Sequence, residues 1–500
     1  MTKQQSGKWI LLSQRQRISP FPNYMSLEGM TEMLHEYVDM NLKDTMMIYK
    51  DRLGIYFHDA KSFEEIGRHI VELLHKDPGM YARFVDLQNK NGTILVEFCK
   101  RISSKDLRSF SNEELYNAWL EYEGLYKIVY TSYGTIWIME DYLNEELYKI
   151  IEKRISDNPS QASEMLNILT KQPSAMVSTV HRKALLELAI QIANNHRWKK
   201  TLLDATLKDL QSDASLYALM QQHLEAYYWV TRDYEDPVLD IPSIVKLLKE
   251  LLGQDPREEH KMLLNDLQEI EDKQTEYTST LALNKEEAGL FQAMRDAAHL
   301  KELRKRYVAE SLYHFDPVLK EIGKRAHLAL KQVRFLKTDQ LRRALLDGEN
   351  LSDEVNEQMT LSLWRAREGK ETELTTGEEA EKFYKEFCVA DPRMTEFTGM
   401  PVSPGKAQGP VKIVMNPDEC HKVEKGDVIV SVQVVPSFST AIIKASAIVC
   451  DGGHGITSHP ATLAREAGIP CVIQTRFARD VLKDGDMVEV DGYAGLVRKL

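Results

Sequence analysis

Along most of the chain, apolar residues recur at steps of three and four, the spacing that gathers side chains on one face of an α-helix. Ser62-Phe63-Glu64-Glu65 and Ser111-Asn112-Glu113-Glu114 each fit the S-x-x-E capping box, in which serine and glutamate side chains satisfy backbone N–H groups at a helix start. After the first, Phe63, Ile66, Ile70, Leu73 and Leu74 trace an apolar face until Asp77-Pro78-Gly79 ends it. The same periodicity predicts helices over about 111–155, 160–196, 213–232, 243–253, 257–275, 284–312, 315–331 and 338–347. No internal repeat stands out, and strand signals up to about residue 388 are few. An all-helical assembly is expected there.

From Phe397 the pattern changes to short β-rich runs: "VKIVM" (411–415), "DVIVS" (427–431), "AIVC" (447–450), "CVI" (471–473), "MVEV" (487–490) and "GLVRK" (495–499). Turns such as Asn416-Pro417-Asp418 and Lys483-Asp484-Gly485-Asp486 separate them. The fold expected is therefore multidomain: a large, mostly α-helical N-terminal domain over 1–388, a hinge linker at 389–399 and a C-terminal α/β domain over 400–500.

Composition sharpens this division. The chain has 500 residues, 43% apolar and 28% charged, with a net charge of −12. Lys plus Arg balance Asp plus Glu over residues 401–500, so the whole negative excess lies in the first 400, and ten of the 25 glycines fall in the last hundred. That balance argues against a general nucleic-acid binder. No apolar run reaches the roughly 18 residues of a membrane span and no secretory h-region follows the N-terminus, so a cytoplasmic protein without membrane contact is expected. Five scattered cysteines, without metal-ligand spacing, suit reduced thiols and leave no metal site expected.

The densest chemistry lies in "GGHGITSHPATLAREAGIP" (452–470). Strand "AIVC" runs into a glycine-bearing loop, Pro460 fits the first position of a helix, and Gly468 followed by Ile469-Pro470 fits its end. His459 thus falls at or beside a helix N-cap, where free N–H groups and the helix dipole favour an anion. Two readings are open on these residues alone: a capping histidine, or a neutral imidazole held out as a nucleophile for phosphoryl chemistry. In the second, Thr457, Ser458, Gly453, Gly455 and Arg465 are the candidate phosphate contacts.

"DGGHGITSHPATLAREAGIPCVI" (451–473) resembles the signature of the swivelling phosphohistidine domain of the phosphoenolpyruvate-utilising enzymes. "GMPVSPGKAQGPV" (399–411), "KGDVIVS" (425–431) and "LKDGDMVEVDGYAGLV" (482–497) are similar to its opening, middle and close. The resemblance implies that His459 carries a phosphoryl group between two sites. Pro460 stands where the family usually has alanine, and His454-Gly455 where Gly-Gly is common.

Synthase- and dikinase-type members pair this domain with an ATP-grasp domain and a phosphoenolpyruvate/pyruvate barrel. Only 41 residues follow His459, and no glycine-rich phosphate loop precedes it. The resemblance therefore implies ATP and Mg²⁺ bound by a separate ATP-grasp protein, with no permanently bound cofactor in this chain. "HLEAYYWVTRDYEDP" (223–237) and residues 300–348 resemble the helical region of rifampin-type phosphotransferases, and the split layout resembles phenylphosphate synthase. A hydroxyl on a small molecule would be the acceptor.

Tyr116, Trp119, Tyr122, Tyr126, Tyr130, Tyr133 and Trp137 form an aromatic stripe at helical spacing. Such a stripe is first of all core packing, but lining a cavity it would suit an aromatic acceptor. Tyr122, Tyr126, Tyr130, Trp137 and His223 are the candidate substrate contacts, with Tyr227-Tyr228-Trp229, Arg295, Arg304 and Arg306 behind them. The competing functions are a phosphorylation-dependent scaffold without turnover and a phosphoenolpyruvate-dependent phosphocarrier.

Overall fold

The computed structural model describes residues 5–6, 8–16, 18–155, 159–204, 207–232, 234–434, 438–452 and 458–500. It divides into two compact units. The first gathers Met1–Glu72, Tyr130–Glu146 and Ile322–Leu500; the second gathers Leu73–Val129 and Leu147–Glu321.

Within the first unit lies a sheet that helical periodicity does not announce. Strands β1 (Gln5–Ser6), β2 (Trp9–Gln16), β3 (Asp44–Lys50), β4 (Leu53–Asp59), β5 (Leu361–Arg367) and β6 (Lys370–Thr375) form an antiparallel sheet in the order β1-β2-β4-β3-β5-β6. The all-helical expectation for residues 1–388 is corrected here, although most of that region is helical. The signal was absent for a physical reason. β3 is buried from Asp44 through Tyr49 and β4 from Gly54 through His58, so neither alternates apolar and polar residues. One face packs Met46, Ile48, Ile55, Phe57 and Leu363 against Phe387 and Cys388 of the helix Gly377–Cys388. The helix Pro20–Glu32 packs against β3 and β5, with Tyr24 stacked on Trp364 at 5.2 Å.

Ser111 closes the expected capping box with Glu114 and opens the 41-residue helix Asn112–Glu152. Ser62 does not cap: it lies inside the helix Ala60–Lys76, and Asp59 Oδ1 accepts its N–H at 2.8 Å. The helices expected over 284–312 and 315–331 are one, Lys285–Ala326, with Pro317 in its interior.

The second unit is helical among its described residues. Leu185, Leu186, Ala189 and Ile192 of the helix Val177–Ala193 pack on Leu216 and Met220 of the helix Ala214–Tyr227 and on Ile244 and Leu248 of the helix Ile241–Leu252.

The C-terminal α/β domain is built on an eight-stranded sheet in the order β7-β14-β13-β9-β10-β11-β12-β8. Its strands are β7 (Glu396–Thr398), β8 (Met400–Ser403), β9 (Lys406–Ile413), β10 (Val428–Ser431), β11 (Ala447–Cys450), β12 (Cys471–Ile473), β13 (Met487–Asp491) and β14 (Leu496–Lys499). The four central strands, β9 to β12, are parallel and the flanking pairs antiparallel. β10 and β11 are buried throughout, with one apolar cluster on each face of the sheet. Of the expected linker 389–399, Glu396–Thr398 is already β7, paired with β14. No helix of the described residues is long and apolar enough to cross a membrane. All five cysteines are free and buried.

Candidate functional site

β11 ends at Cys450, and the chain is then fastened residue by residue. Asp451 N–H donates to Ser431 O at 2.9 Å, Gly452 N–H to Val432 O at 3.0 Å, and Gln474 N–H to Gly452 O at 3.2 Å. A side chain at 452 would not fit, since a Cβ there would lie 2.7 Å from Val432 O. Glycine is thus required where the strand tip crosses the end of β10.

Asp451 was missed by the sequence reading, and it organises this tip. Only 1% exposed, its Oδ1 accepts from Thr475 Oγ1 at 2.6 Å and from Ala478 N–H at 2.8 Å, and its Oδ2 accepts from Arg479 N–H at 2.9 Å. Burial pushes the carboxyl up to about 6, against the lowering effect of those hydrogen bonds. Its position directly before a glycine pair was the only signal available.

Gly453, Gly455 and Thr457 lie outside the described residues. Ser458 is the N-cap of the helix His459–Ala467, with Pro460 in its first turn. Gly468 closes the helix in the left-handed conformation at φ 66°, its N–H reaching Ala464 O and Arg465 O. The helix buries Ala461 and Ala464 in the apolar cluster that includes Ile448 and Ile473. His459 is exposed at the helix start. Ser458 Oγ beside it is shut from solvent and has no hydrogen-bond partner among the described residues.

Arg465 lies six residues beyond His459, and its Nη1 donates to Val402 O at 3.0 Å. Ser403 Oγ donates to Ile469 O at 2.7 Å, so β8 holds both the body and the end of this helix. Burial lowers the Arg465 pKa from its usual value.

The aromatic stripe is divided between the two units. Tyr122 and Tyr126 belong to the second, both buried; Tyr122 stacks on Phe315 at 4.2 Å and on Tyr126 at 5.9 Å. Tyr130 and Trp137 belong to the first, packed edge to face at 5.9 Å, with Trp137 stacked on His58 at 5.4 Å. Within each unit these rings pack against one another. His223, in the second unit, is apart from the stripe's own contacts and meets His181 and Tyr227. Arg306 pairs with Glu310 at 2.7 Å, and Arg295 donates to Leu169 O at 2.5 Å. Tyr228 hydroxyl lies 2.8 Å from His314 Nε2.

The site is thus an exposed histidine at a helix start, beyond a glycine-tipped strand of a parallel-centred α/β domain. Residues 423–495 match the family described as PEP-utilising enzyme, mobile domain, and the C-terminal domain carries that family's mobile domain. A probable phosphoenolpyruvate synthase of Archaeoglobus fulgidus is 46% identical over 99 residues, 20% of this chain and 13% of that protein. The phosphoenolpyruvate synthase of Aeropyrum pernix is 48% identical over 100 residues, 20% of this chain and 12% of its own. An uncharacterized phosphotransferase, YvkC, of Bacillus subtilis is 41% identical over 111 residues, 22% and 13% of the two chains. The chain thus spans about an eighth of the length of these relatives.

Proposed function

We propose that the chain is a phosphotransferase component in which His459 is transiently phosphorylated and passes the group to a hydroxyl of a small acceptor. The observation that carries this reading is the exposed imidazole at a helix start within the matched mobile domain. The helix end there is electropositive, which favours the neutral, nucleophilic ring and then the attached phosphoryl anion. Ser458 Oγ and the remaining helix N–H groups are the donors to its oxygens, while Pro460 supplies none. In the transfer to His459, the donor's P–O bond breaks as the N–P bond forms, and positioning with charge stabilisation supplies the rate.

The donor in this reading is ATP, held with Mg²⁺ by a separate ATP-grasp protein, and the mobile domain delivers the group to an acceptor on the helical part. The test is incubation with labelled ATP, Mg²⁺ and a candidate ATP-grasp protein, with labelled phosphoenolpyruvate in parallel. Acid-labile, base-stable label that disappears in His459→Ala is the expected result. Label from phosphoenolpyruvate alone would replace the donor, label that no hydroxyl compound removes would favour a scaffold, and label retained in His459→Ala would end the assignment.

A further inference from the structure

Ser458 is the N-cap of the helix His459–Ala467, yet its side chain caps nothing. An N-cap serine ordinarily accepts the N–H of the second or third helical residue. Here the second residue is Pro460, which has no N–H, and the third, Ala461, is not taken by Ser458. Ser458 Oγ is instead shut from solvent with no hydrogen-bond partner among the described residues. The first bond of the helix is Thr462 N–H to Ser458 O at 3.0 Å. Ahead of it the first turn has only two N–H groups, those of His459 and Ala461, because Pro460 withdraws the one between them.

Helix stability does not account for both features. Proline suits a helix start because the N–H it lacks has no intrahelical partner there. Where an anion sits at that start, the same missing N–H is one of the groups that would hold it. The residue that carries the anion in the proposed reading, His459, directly precedes Pro460; His459 is exposed, while Pro460 is buried with Ala461 and Ala464. The cation of this helix, Arg465, gives its Nη1 to Val402 O at 3.0 Å.

A phosphoryl group on an imidazole carries its negative charge on its oxygens, and an N–H bonded to them makes a charge-assisted hydrogen bond, stronger than a neutral one. In the loose, metaphosphate-like transition state, charge leaves those oxygens as the N–P bond breaks. Donors at the oxygens therefore hold the phosphorylated ring more firmly than the transition state, and slow release.

We infer that Pro460 sets the phosphoryl-transfer potential of His459: by withdrawing one helix-start donor, it leaves the phosphorylated imidazole less stabilised and quicker to give up its group. This rests on the reading of His459 as the phosphoryl carrier. In release to water, the water oxygen forms a P–O bond and the N–P bond breaks, its electron pair returning to the ring. One proton of that water passes to the imidazole and the other stays on the phosphate.

The test needs no partner protein and no acceptor but water. Full-length chain, Pro460→Ala and Pro460→Gly are labelled with phosphoramidate, and the label on His459 is the difference from the matching His459→Ala protein treated alike. The reagent is removed and loss of label is followed at one pH. Both substitutions restore the N–H at 460, whereas alanine strengthens a helix and glycine weakens it. The expected result is a label lifetime longer by about tenfold in both, the worth of roughly one charge-assisted hydrogen bond. In Pro460→Ala grown with ¹⁵N-alanine, the amide resonance absent from the parent should also move downfield on phosphorylation, the mark of a bond to an anion. Circular dichroism checks each variant's fold. Lifetimes within about twofold of the parent in both variants overturn the inference, since one such bond is worth roughly tenfold. A longer lifetime in Pro460→Ala alone overturns it too, because that reports helix strength, as does an amide at 460 that phosphorylation does not move. Each of these outcomes leaves the carrier reading intact. Absence of label on His459 in the parent ends that reading, and the inference with it.

Discussion

Arg476 Nη2 donates to the backbone carbonyl of Phe387 at 2.8 Å, joining the segment after β12 to the last turn of the helix Gly377–Cys388. The bond bridges a narrow division. Phe387 and Cys388 belong to the apolar cluster of the N-terminal sheet, whereas Ala390 and Met394 pack into the C-terminal core. Val389, between them, is 48% exposed. In the proposed carrier reading, the pivot is assigned to the peptides around Val389.

Removing that bridge should loosen the pivot without unfolding either side. In Arg476→Ala, loss of a hydrogen bond from a half-buried guanidinium is expected to weaken local protection by about 1–3 kcal/mol. Hydrogen exchange should rise across 387–395 and limited proteolysis should quicken at Val389. Unchanged exchange in that segment would mean the bond does not hold the domain.

Asp451 gives the C-terminal domain a pH signature. Its carboxyl sits near 3.8 when unperturbed and is raised to about 6 in the fold by burial. Between those values the folded state binds more protons, so this group's contribution to stability falls as pH rises from about 4 to about 6, by roughly 2–3 kcal/mol. Urea unfolding of Asp451→Asn should lose that slope, and an identical slope in both proteins would contradict it.

His223 should act in the opposite direction. Its pKa is lowered from 6.5 to about 4 by burial, so the unfolded chain binds more protons in that range. The contribution is complete above about 6.5 and is lost as pH falls towards 4, roughly 2–3 kcal/mol in all. His223→Gln should flatten the acid limb of the stability profile, read by urea unfolding between pH 7 and 4.5.

Gly452→Ala forces a Cβ to within 2.7 Å of the Val432 carbonyl, a backbone atom with little room to move. A destabilisation of about 1–3 kcal/mol is expected. Thermal unfolding followed through the C-terminal domain is the measurement, and a variant as stable as the parent would show that the strand tip relaxes freely.

How far the sequence disclosed this molecule depended on the kind of signal each part carries. The helix at His459 was legible because Pro460 and Gly468 mark its two ends and Ala461 and Ala464 mark its buried side. The helix Asn112–Glu152 was legible from the Ser111 capping box. β3 and β4 were not, because strands covered on both faces lose the alternation that distinguishes a strand. β5 and β6 are further hidden by the roughly 300 residues that separate them from β3 and β4, since pairing at that distance leaves no local pattern. Among site residues, His459 announced itself through its neighbours, whereas Asp451 acts on Thr475, Ala478 and Arg479, more than twenty positions away. The proximity of His181 to His223 likewise exists only once two helices have packed.

Cys388 adjoins the pivot, and its thiol is buried and pushed up to about 12. Its ionised, reactive form is therefore scarce while the helix end stays seated. The other four cysteines are buried as well. Modification of Cys388 by a thiol reagent, located by mass spectrometry among the five cysteines, therefore reports any unseating of the helix end from the sheet, with no engineered label introduced.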